Sequence, residues 1–400
     1  MRAGSSPHPH QSPLITDHLF SPPPAGQRLV SAAARRSEMA AKLANAMVTL
    51  LVLLGSVACQ ADYGYGNPSS GSGSGSSGFQ IPFPFPTPTP PTPSPSAGGF
   101  SPGFYDSTCP NAENIVRGVV ENAVKQNPGI GAGLIRMLFH DCFVEGCDAS
   151  VLLDPTSANS QPEKLAIPPN FPSLRGFEVI DEAKAALEAA CPNTVSCADT
   201  LAFAARDASA VLSDGNINFT VPAGRRDGRV SNSSDALNFL PPPSFNLSEL
   251  TASFAAKGLD VDDLVVLSGA HTVGRSHCSP FVSDGRLNAS SDMNPALAAS
   301  LRSKCPASPN AANDPTVAQD VVTPVRLDNQ YYRNVLSHSV LFTSDAALLK
   351  SVRTTAAVVL NAFVPGVWEQ KFARAMVKMA AIEVKTGANG EIRRNCRVVN

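Results

Sequence analysis

A mainly α-helical domain spanning residues 101–400 is the fold class that the sequence predicts. Apolar residues recur at helical spacing in one segment after another of that range, whereas only one short segment alternates as a strand would. The residues ahead of it are too rich in Pro, Gly and Ser to bury a core. Asn111 to Lys125 gathers Ile115, Val116, Val119, Val120 and Ala123 on one face, which predicts a first helix. Ile130 to Phe143 predicts a second, and Phe177 to Ala190 a third with Asp181, Glu182 and Lys184 on its wet side. Cys197 to Leu212 is a fourth, and Ser248 to Lys257, ended by Gly258, a fifth. Val261 to Ala270 leads into His271, and Asp328 to Leu336 and Trp368 to Val384 complete the set. Ile217 to Val221 is the best strand candidate, and no internal repeat of fixed period occurs.

The N-terminal quarter divides by composition. Residues 1–38 form an extension without amphipathic period, ahead of a second methionine. Residues 39–61 read as a signal peptide: Lys42 supplies the charged start, Ala46 to Leu54 the apolar run, and small residues follow. That run is well short of the roughly 20 residues that span a bilayer, so no membrane association is expected after cleavage near Ala58 or Ala61; a signal anchor is the alternative. Residues 62–100 form a Gly/Ser/Pro-rich linker whose proline tract favours extended polyproline II and makes it a candidate for cell-wall association. The sequence ends at Asn400 without an extra tail, so a C-terminal vacuolar signal is not expected.

Of nine cysteines, Cys59 lies in the signal and eight in the domain, an even number that points to four disulfides in a secreted chain. Eight cysteines allow 105 pairings and their order alone does not choose among them. No CxxC pair is present, which argues against zinc. Four sequons, at Asn218, Asn232, Asn246 and Asn288, agree with the secretory route and with a glycoprotein. Beyond residue 61 the chain carries 26 Lys/Arg against 31 Asp/Glu, an acidic balance that offers no electrostatic case for nucleic acid.

The chemistry concentrates between Arg136 and Ser150. Arg136 and His140 stand four residues apart, one helical turn on one face. A guanidinium beside a neutral imidazole suits removal of a proton from a small polar molecule and stabilisation of the charge that develops. Of seven histidines, only His140, His271, His277 and His338 belong to the domain. His271 follows Leu267-Ser-Gly-Ala, small neighbours that let something flat approach. Two such histidines suggest the two sides of a metal cofactor, since a single axial His commonly holds haem iron.

At these residues the chain resembles the class III plant haem peroxidases. The resemblance covers essentially all of residues 101–400, from Phe104-Tyr-Asp-Ser-Thr-Cys-Pro110 to Asn395-Cys-Arg-Val-Val-Asn400. It rests on Arg136…His140-Asp-Cys-Phe-Val, Gly146-Cys-Asp-Ala-Ser150, Val195-Ser-Cys-Ala-Asp199, Leu267-Ser-Gly-Ala-His-Thr272 and Asp328-Asn-Gln-Tyr-Tyr332. It implies a two-lobed fold of about ten or more helices with minimal β, one haem b between distal and proximal halves, and two Ca²⁺ ions. The implied activity is reduction of hydrogen peroxide and one-electron oxidation of small phenolic donors by a secreted, apoplastic monomer, with roles in wall phenol oxidation and oxidative stress.

Residue by residue, the resemblance makes His140 the distal acid–base group and Arg136 the charge stabiliser. Asn170 matches the asparagine that hydrogen-bonds the distal His, and Glu163 the carboxylate behind it, although Glu163 to Asn170 runs one residue longer than the family spacing. His271 becomes the axial iron ligand, and Asp345 the carboxylate that accepts its other ring proton. Pro241 matches a proline whose carbonyl helps hold phenolic donors, while Gln319 departs from the aromatic residue often found before Asp320. The distal calcium set is Asp141, Val144, Gly146, Asp148 and Ser150 with Glu163, and the proximal set Thr272, Asp320, Thr323, Arg326 and Asp328, oxygen ligands of the kind hard Ca²⁺ takes. The implied disulfides are Cys109–Cys191, Cys142–Cys147, Cys197–Cys396 and Cys278–Cys305. Two other readings are a secreted calcium-binding wall glycoprotein that keeps the fold without turnover, and a non-haem disulfide-scaffold binding protein.

Overall fold

The computed structural model describes residues 99–400, so the N-terminal extension, the signal peptide and all but the end of the linker lie outside the described residues. Thirteen α-helices and a single two-stranded sheet make up the regular structure there. The mainly α architecture with minimal β expected from the sequence is therefore present.

Helices α1 (Ala112–Gln126), α2 (Pro128–Cys142), α3 (Phe177–Ala190) and α4 (Cys197–Leu212) form the distal half. The Asn127 side chain accepts from the Gly129 N–H and Pro128 follows it, a start signal that separates α2 cleanly from α1. Ser196 caps α4 in the same way through the Asp199 N–H. Fourteen of the sixteen residues of α4 are buried, and both α1 and α2 pack on it. A helix hydrophobic on all sides belongs at the centre of a domain, and the alanines of α4 let its neighbours approach closely.

The proximal half holds α5 (Ser233–Phe239), α6 (Leu247–Ala256), α7 (Val261–Ser268), α8 (Ser279–Ser283), α9 (Pro295–Lys304), α10 (Gln330–Leu336), α11 (Thr343–Ala347), α12 (Val352–Phe363) and α13 (Val367–Met379). Reciprocal caps start α6 (Asn246 with Glu249) and α7 (Asp260 with Asp263). Helix α7 packs on α6, α12 and α13, and α10 packs on α12. One continuous apolar core joins the two halves, and a smaller one gathers Phe281, Leu301 and Phe342 around the Cys278–Cys305 bridge.

The strand expected at Ile217–Val221 does not form. Ile217 and Val221 are buried and Asn218 and Thr220 exposed, so the alternation is real, but no neighbouring strand pairs with the segment. Instead Ile217 N–H donates to Ser213 Oγ at 2.9 Å. The sheet comes from β1 (Arg275–His277) and β2 (Thr316–Ala318), antiparallel and three residues each. Helices α5, α8, α9, α11 and α12 are also additions to the sequence reading. Most are a turn or two long, and α12 carries Thr354, Val358 and other β-branched residues that weaken its intrinsic signal. Where the sequence predicts helix up to Ala270, α7 stops at Ser268 and tightens into a 3₁₀ turn, Gly269–Thr272, that carries His271. The last helix likewise ends at Met379, short of Val384.

Candidate active site

On α2, a helix otherwise buried from Leu134 on, Ala132, Gly133, Arg136 and Phe139 remain half-buried and mark one face of the helix. His140 completes that face. The Arg136 Nε–H donates to His140 Nε2 at 3.1 Å, so the imidazole presents a lone pair there. The guanidinium is also anchored by Ser173 Oγ at 3.0 Å and by the Pro169 carbonyl at 2.9 Å. His140 Nδ1 lies 2.6 Å from Asn170 Oδ1, and Asn170 Nδ2 donates to the backbone carbonyl of Glu163 at 2.7 Å. The amide oxygen can only accept, so Nδ1 carries the proton and Nε2 is left as the acceptor. Burial, then the Arg136 charge, holds His140 well below its ordinary value, against the Asn170 bond. Burial also lowers Arg136 to about 10, still a cation near neutral pH.

The extra residue between Glu163 and Asn170 leaves the amide within reach of the histidine. The expected role of the Glu163 carboxylate needs correction, because the backbone carbonyl of Glu163 is what holds Asn170. The carboxylate is fully buried, and neither of its oxygens has a hydrogen-bond partner.

Across from α2, His271 Nδ1 lies 2.7 Å from Asp345 Oδ1. Asp345 sits in the first turn of α11, 2% exposed, and Tyr331 Oη donates to the same oxygen at 2.8 Å. Burial and the Asp345 charge push the Tyr331 phenol far up, so it stays a donor. Behind His271, Gly269 permits close packing: a β-carbon there would lie 2.6 Å from Trp368 Nε1 and 2.7 Å from Tyr332 Oη. His271 itself is half-buried, and its Nε2 makes no hydrogen bond among the described residues, so that nitrogen could hold a metal. A β-carbon added at Gly274 would lie 3.3 Å from the Cβ of Ala132, which brings the two histidine-bearing segments against each other at one end.

Pro241 follows α5, half-buried, and its neighbour Pro243 accepts from the Ser344 N–H at 2.9 Å, which ties that loop to the helix of Asp345. The Gln319 N–H donates to the Gly274 carbonyl at 3.1 Å, beside the proximal turn. A cavity of about 910 Å³ lies elsewhere, between α6 and α11, and includes none of Arg136, His140 and His271. The chemistry of the two histidine walls, rather than that volume, identifies the site.

Two oxygen clusters flank the walls. On the distal side Asp141 and Asp148 are buried, and Ser150 Oγ, like the Glu163 carboxylate, has no partner. Burial, then Asp148, raises Asp141 to about 8, and burial, then Asp141, raises Glu163 well above the carboxylate range. Buried oxygens left in this state are what a bound cation relieves. Lys257 Nζ donates to the Val144 carbonyl at 3.2 Å and Lys385 Nζ to Asp148 Oδ2 at 2.5 Å, contacts that the sequence did not reveal. The Gly146 carbonyl accepts from the Asp148 N–H at 2.8 Å, and Cys142–Cys147 closes the loop. On the proximal side Thr272 Oγ1 lies 3.2 Å from Asp320 Oδ2, 3.4 Å from the Arg326 carbonyl and 3.2 Å from Asp328 Oδ1. Thr323 Oγ1 adds contacts to both aspartates, at 3.4 and 3.1 Å. No group of three His, Cys, Asp or Glu side chains that could hold a metal occurs among the described residues; each cluster mixes carboxylates with hydroxyls and carbonyls. The eight cysteines pair as the resemblance implies, with Cys109–Cys191 and Cys197–Cys396 closing the long loops.

A family model described as Peroxidase matches residues 116–362. Peroxidase 2 of Zea mays is 65% identical over 298 residues, which cover 74% of this chain and 88% of the relative. The chain belongs to the peroxidase family, in its class III plant branch. Peroxidase 1 of Zea mays (50% identical over 306 residues, 74% of this chain and 82% of the relative) and Peroxidase 5 of Vitis vinifera (48% over 303 residues, 74% and 91%) agree. As a peroxidase it acts on hydrogen peroxide and a reducing substrate, and the family implies haem.

Proposed function

We propose that this peroxidase is secreted, holds one haem b and two Ca²⁺ ions, and oxidises small phenolic donors in the extracellular space. The observation that carries the reading is the pair of short contacts on His140, Nδ1 to Asn170 Oδ1 at 2.6 Å and Nε2 to Arg136 Nε at 3.1 Å.

Haem, held at its iron by His271, would supply the centre where peroxide binds and from which donors are oxidised. His140 Nε2 takes the proton from one peroxide oxygen and delivers it to the other, which departs as water. Such proton transfer contributes about a hundred- to ten-thousandfold. The Arg136 guanidinium, fixed by Ser173 and the Pro169 carbonyl, stabilises the charge that builds as the O–O bond breaks, without reorganising. Asn170 keeps the imidazole in the tautomer that leaves Nε2 unprotonated, as an acceptor. On the other wall Asp345 accepts the His271 Nδ1 proton and makes the imidazole a better electron donor. Two donor molecules, positioned near the Pro241 carbonyl, then give up one electron each. Asp141, Val144, Gly146, Asp148, Ser150 and Glu163 would hold one calcium, and Thr272, Asp320, Thr323, Arg326 and Asp328 the other.

Secretion is supported by the signal-like residues 39–61, the four disulfides and four sequons. Among the described residues no helix is long and apolar enough to cross a membrane. The linker at 62–100 would attach the domain to cell wall, and the domain would act as a monomer. Purified protein, reconstituted with haem and calcium, is expected to show a Soret band and to oxidise guaiacol in the presence of peroxide. Absence of that band would sink the haem assignment, and a band without guaiacol turnover would sink the phenolic donor.

A further inference from the structure

We propose that Tyr331 is a positioning residue of the proximal wall: by donating to the Asp345 oxygen that also accepts from His271, it limits the negative charge Asp345 lends to the imidazole. The inference rests on the reading of His271 as the iron ligand.

The load on Asp345 is uneven. Oδ1 receives His271 Nδ1–H at 2.7 Å and the Tyr331 hydroxyl at 2.8 Å, whereas Oδ2 receives only the Phe342 N–H at 3.4 Å. A carboxylate oxygen has lone pairs for two donors, so both bonds coexist, but each draws density from the same atom. All of this happens out of water: Tyr331 and Asp345 are each 2% exposed, and charge-assisted bonds are strong in such surroundings. The hydroxyl is also held in place. Tyr332, the next residue, donates to the carbonyls of Val265 and Val266 at 2.9 and 3.1 Å, and the two tyrosine rings meet edge to face at 5.1 Å. The groups that hold a metal-binding histidine set its basicity, and axial-ligand donation is one lever on the potential of haem iron. A tyrosine that only satisfied its own buried hydroxyl would matter for stability and leave the iron untouched.

Tyr331→Phe in the full-length, haem-loaded protein separates the two roles. The midpoint of the ferric/ferrous couple is expected to fall so that the ferric-to-ferrous ratio at fixed potential rises about tenfold, ~59 mV for one electron. The iron–imidazole stretch is expected to move to higher frequency. Asp345→Asn should move both readings the opposite way, and the double variant should match Asp345→Asn alone, since the effect runs through that carboxylate. An unshifted midpoint and stretch in Tyr331→Phe, or a double variant still offset from Asp345→Asn, overturns the proposal. If Asp345→Asn also leaves both readings unmoved, the axial-ligand reading of His271 falls with it. Should Tyr331→Phe fail to fold, 3-fluorotyrosine at position 331, a more acidic and stronger donor, is expected to raise the midpoint; no shift or a fall overturns the proposal.

Discussion

The two walls of the cleft hold the same side chain by opposite means. On the distal wall His140 sits between a neutral amide and a cation, buried, and both burial and charge keep it unprotonated with Nε2 as an acceptor. On the proximal wall His271 leans on the Asp345 carboxylate, and its Nε2 makes no hydrogen bond among the described residues. The partner on Nδ1 thus sets the character of Nε2: an amide leaves it an unprotonated acceptor, and a carboxylate makes the imidazole richer in electrons. The oxygen clusters differ in parallel. The distal one leaves Ser150 Oγ and both Glu163 oxygens unpartnered, whereas the proximal one closes on itself through Thr272 and Thr323.

The sharpest way to break this contrast is to exchange the histidines one at a time. His140→Leu is expected to keep haem absorption and slow the reaction with peroxide by about a hundred- to ten-thousandfold in stopped-flow measurements. His271→Ala should lose the native haem band instead; equal losses of haem from both variants would erase the distinction. Arg136→Leu is expected to slow peroxide reduction by about a hundred- to a thousandfold. Arg136→Lys should recover only part of that rate, because a point charge cannot reach His140, Ser173 and the Pro169 carbonyl together.

Calcium removal tests the clusters. With chelator, amide exchange over residues 141–151 should rise more than over 320–328, since Ser150 Oγ and the Glu163 carboxylate of the distal cluster lack partners within the protein. Restoring the ion at a hundred times its Kd should return about 2.7 kcal/mol of stability. The reverse order of exchange would mean that the lysines Lys257 and Lys385 already satisfy the distal loop.

The smallest expected effect concerns pH. The folded value of His140 lies below its unfolded value near 6.5, so the unfolded chain binds the extra proton first. Its contribution to stability is therefore intact above about pH 6.5 and is lost as pH falls toward the folded value. The peroxide rate constant should stay flat from pH 8 down through 6.5. A break centred at 6.5 would mean that the histidine is solvated rather than buried.

Much of this arrangement is legible in the residue order because its key pairs are local or carried by motifs. Arg136 and His140 need only one helical turn to meet, and α3 and α4 begin and end at the residues that their periodicity indicates. The rest depends on contacts that composition does not encode. The Pro169 carbonyl that anchors Arg136 is a backbone atom, available at any residue type. Lys385 reaches Asp148 across 237 positions, and nothing near either residue announces the other. Tyr331 stood within a recognisable motif, yet its partner Asp345 lies one helix further on, and only packing brings α10 against the His271 turn. The false strand at 217–221 teaches the same point from the other side: an alternating pattern reports burial, and a ladder also needs a neighbour.

The approach of Gly274 to Ala132 has a consequence of its own. There the distal helix and the segment leaving the proximal turn touch, and neither residue offers more than a methyl group. The approach of these two segments is therefore limited there by backbone and a single methyl group, on two residues that take no part in any proton or electron transfer. Gly274 has φ +92°, so a larger residue there would meet strain as well as Ala132. Such a shim would tilt one wall against the other while every residue of the chemistry kept its identity.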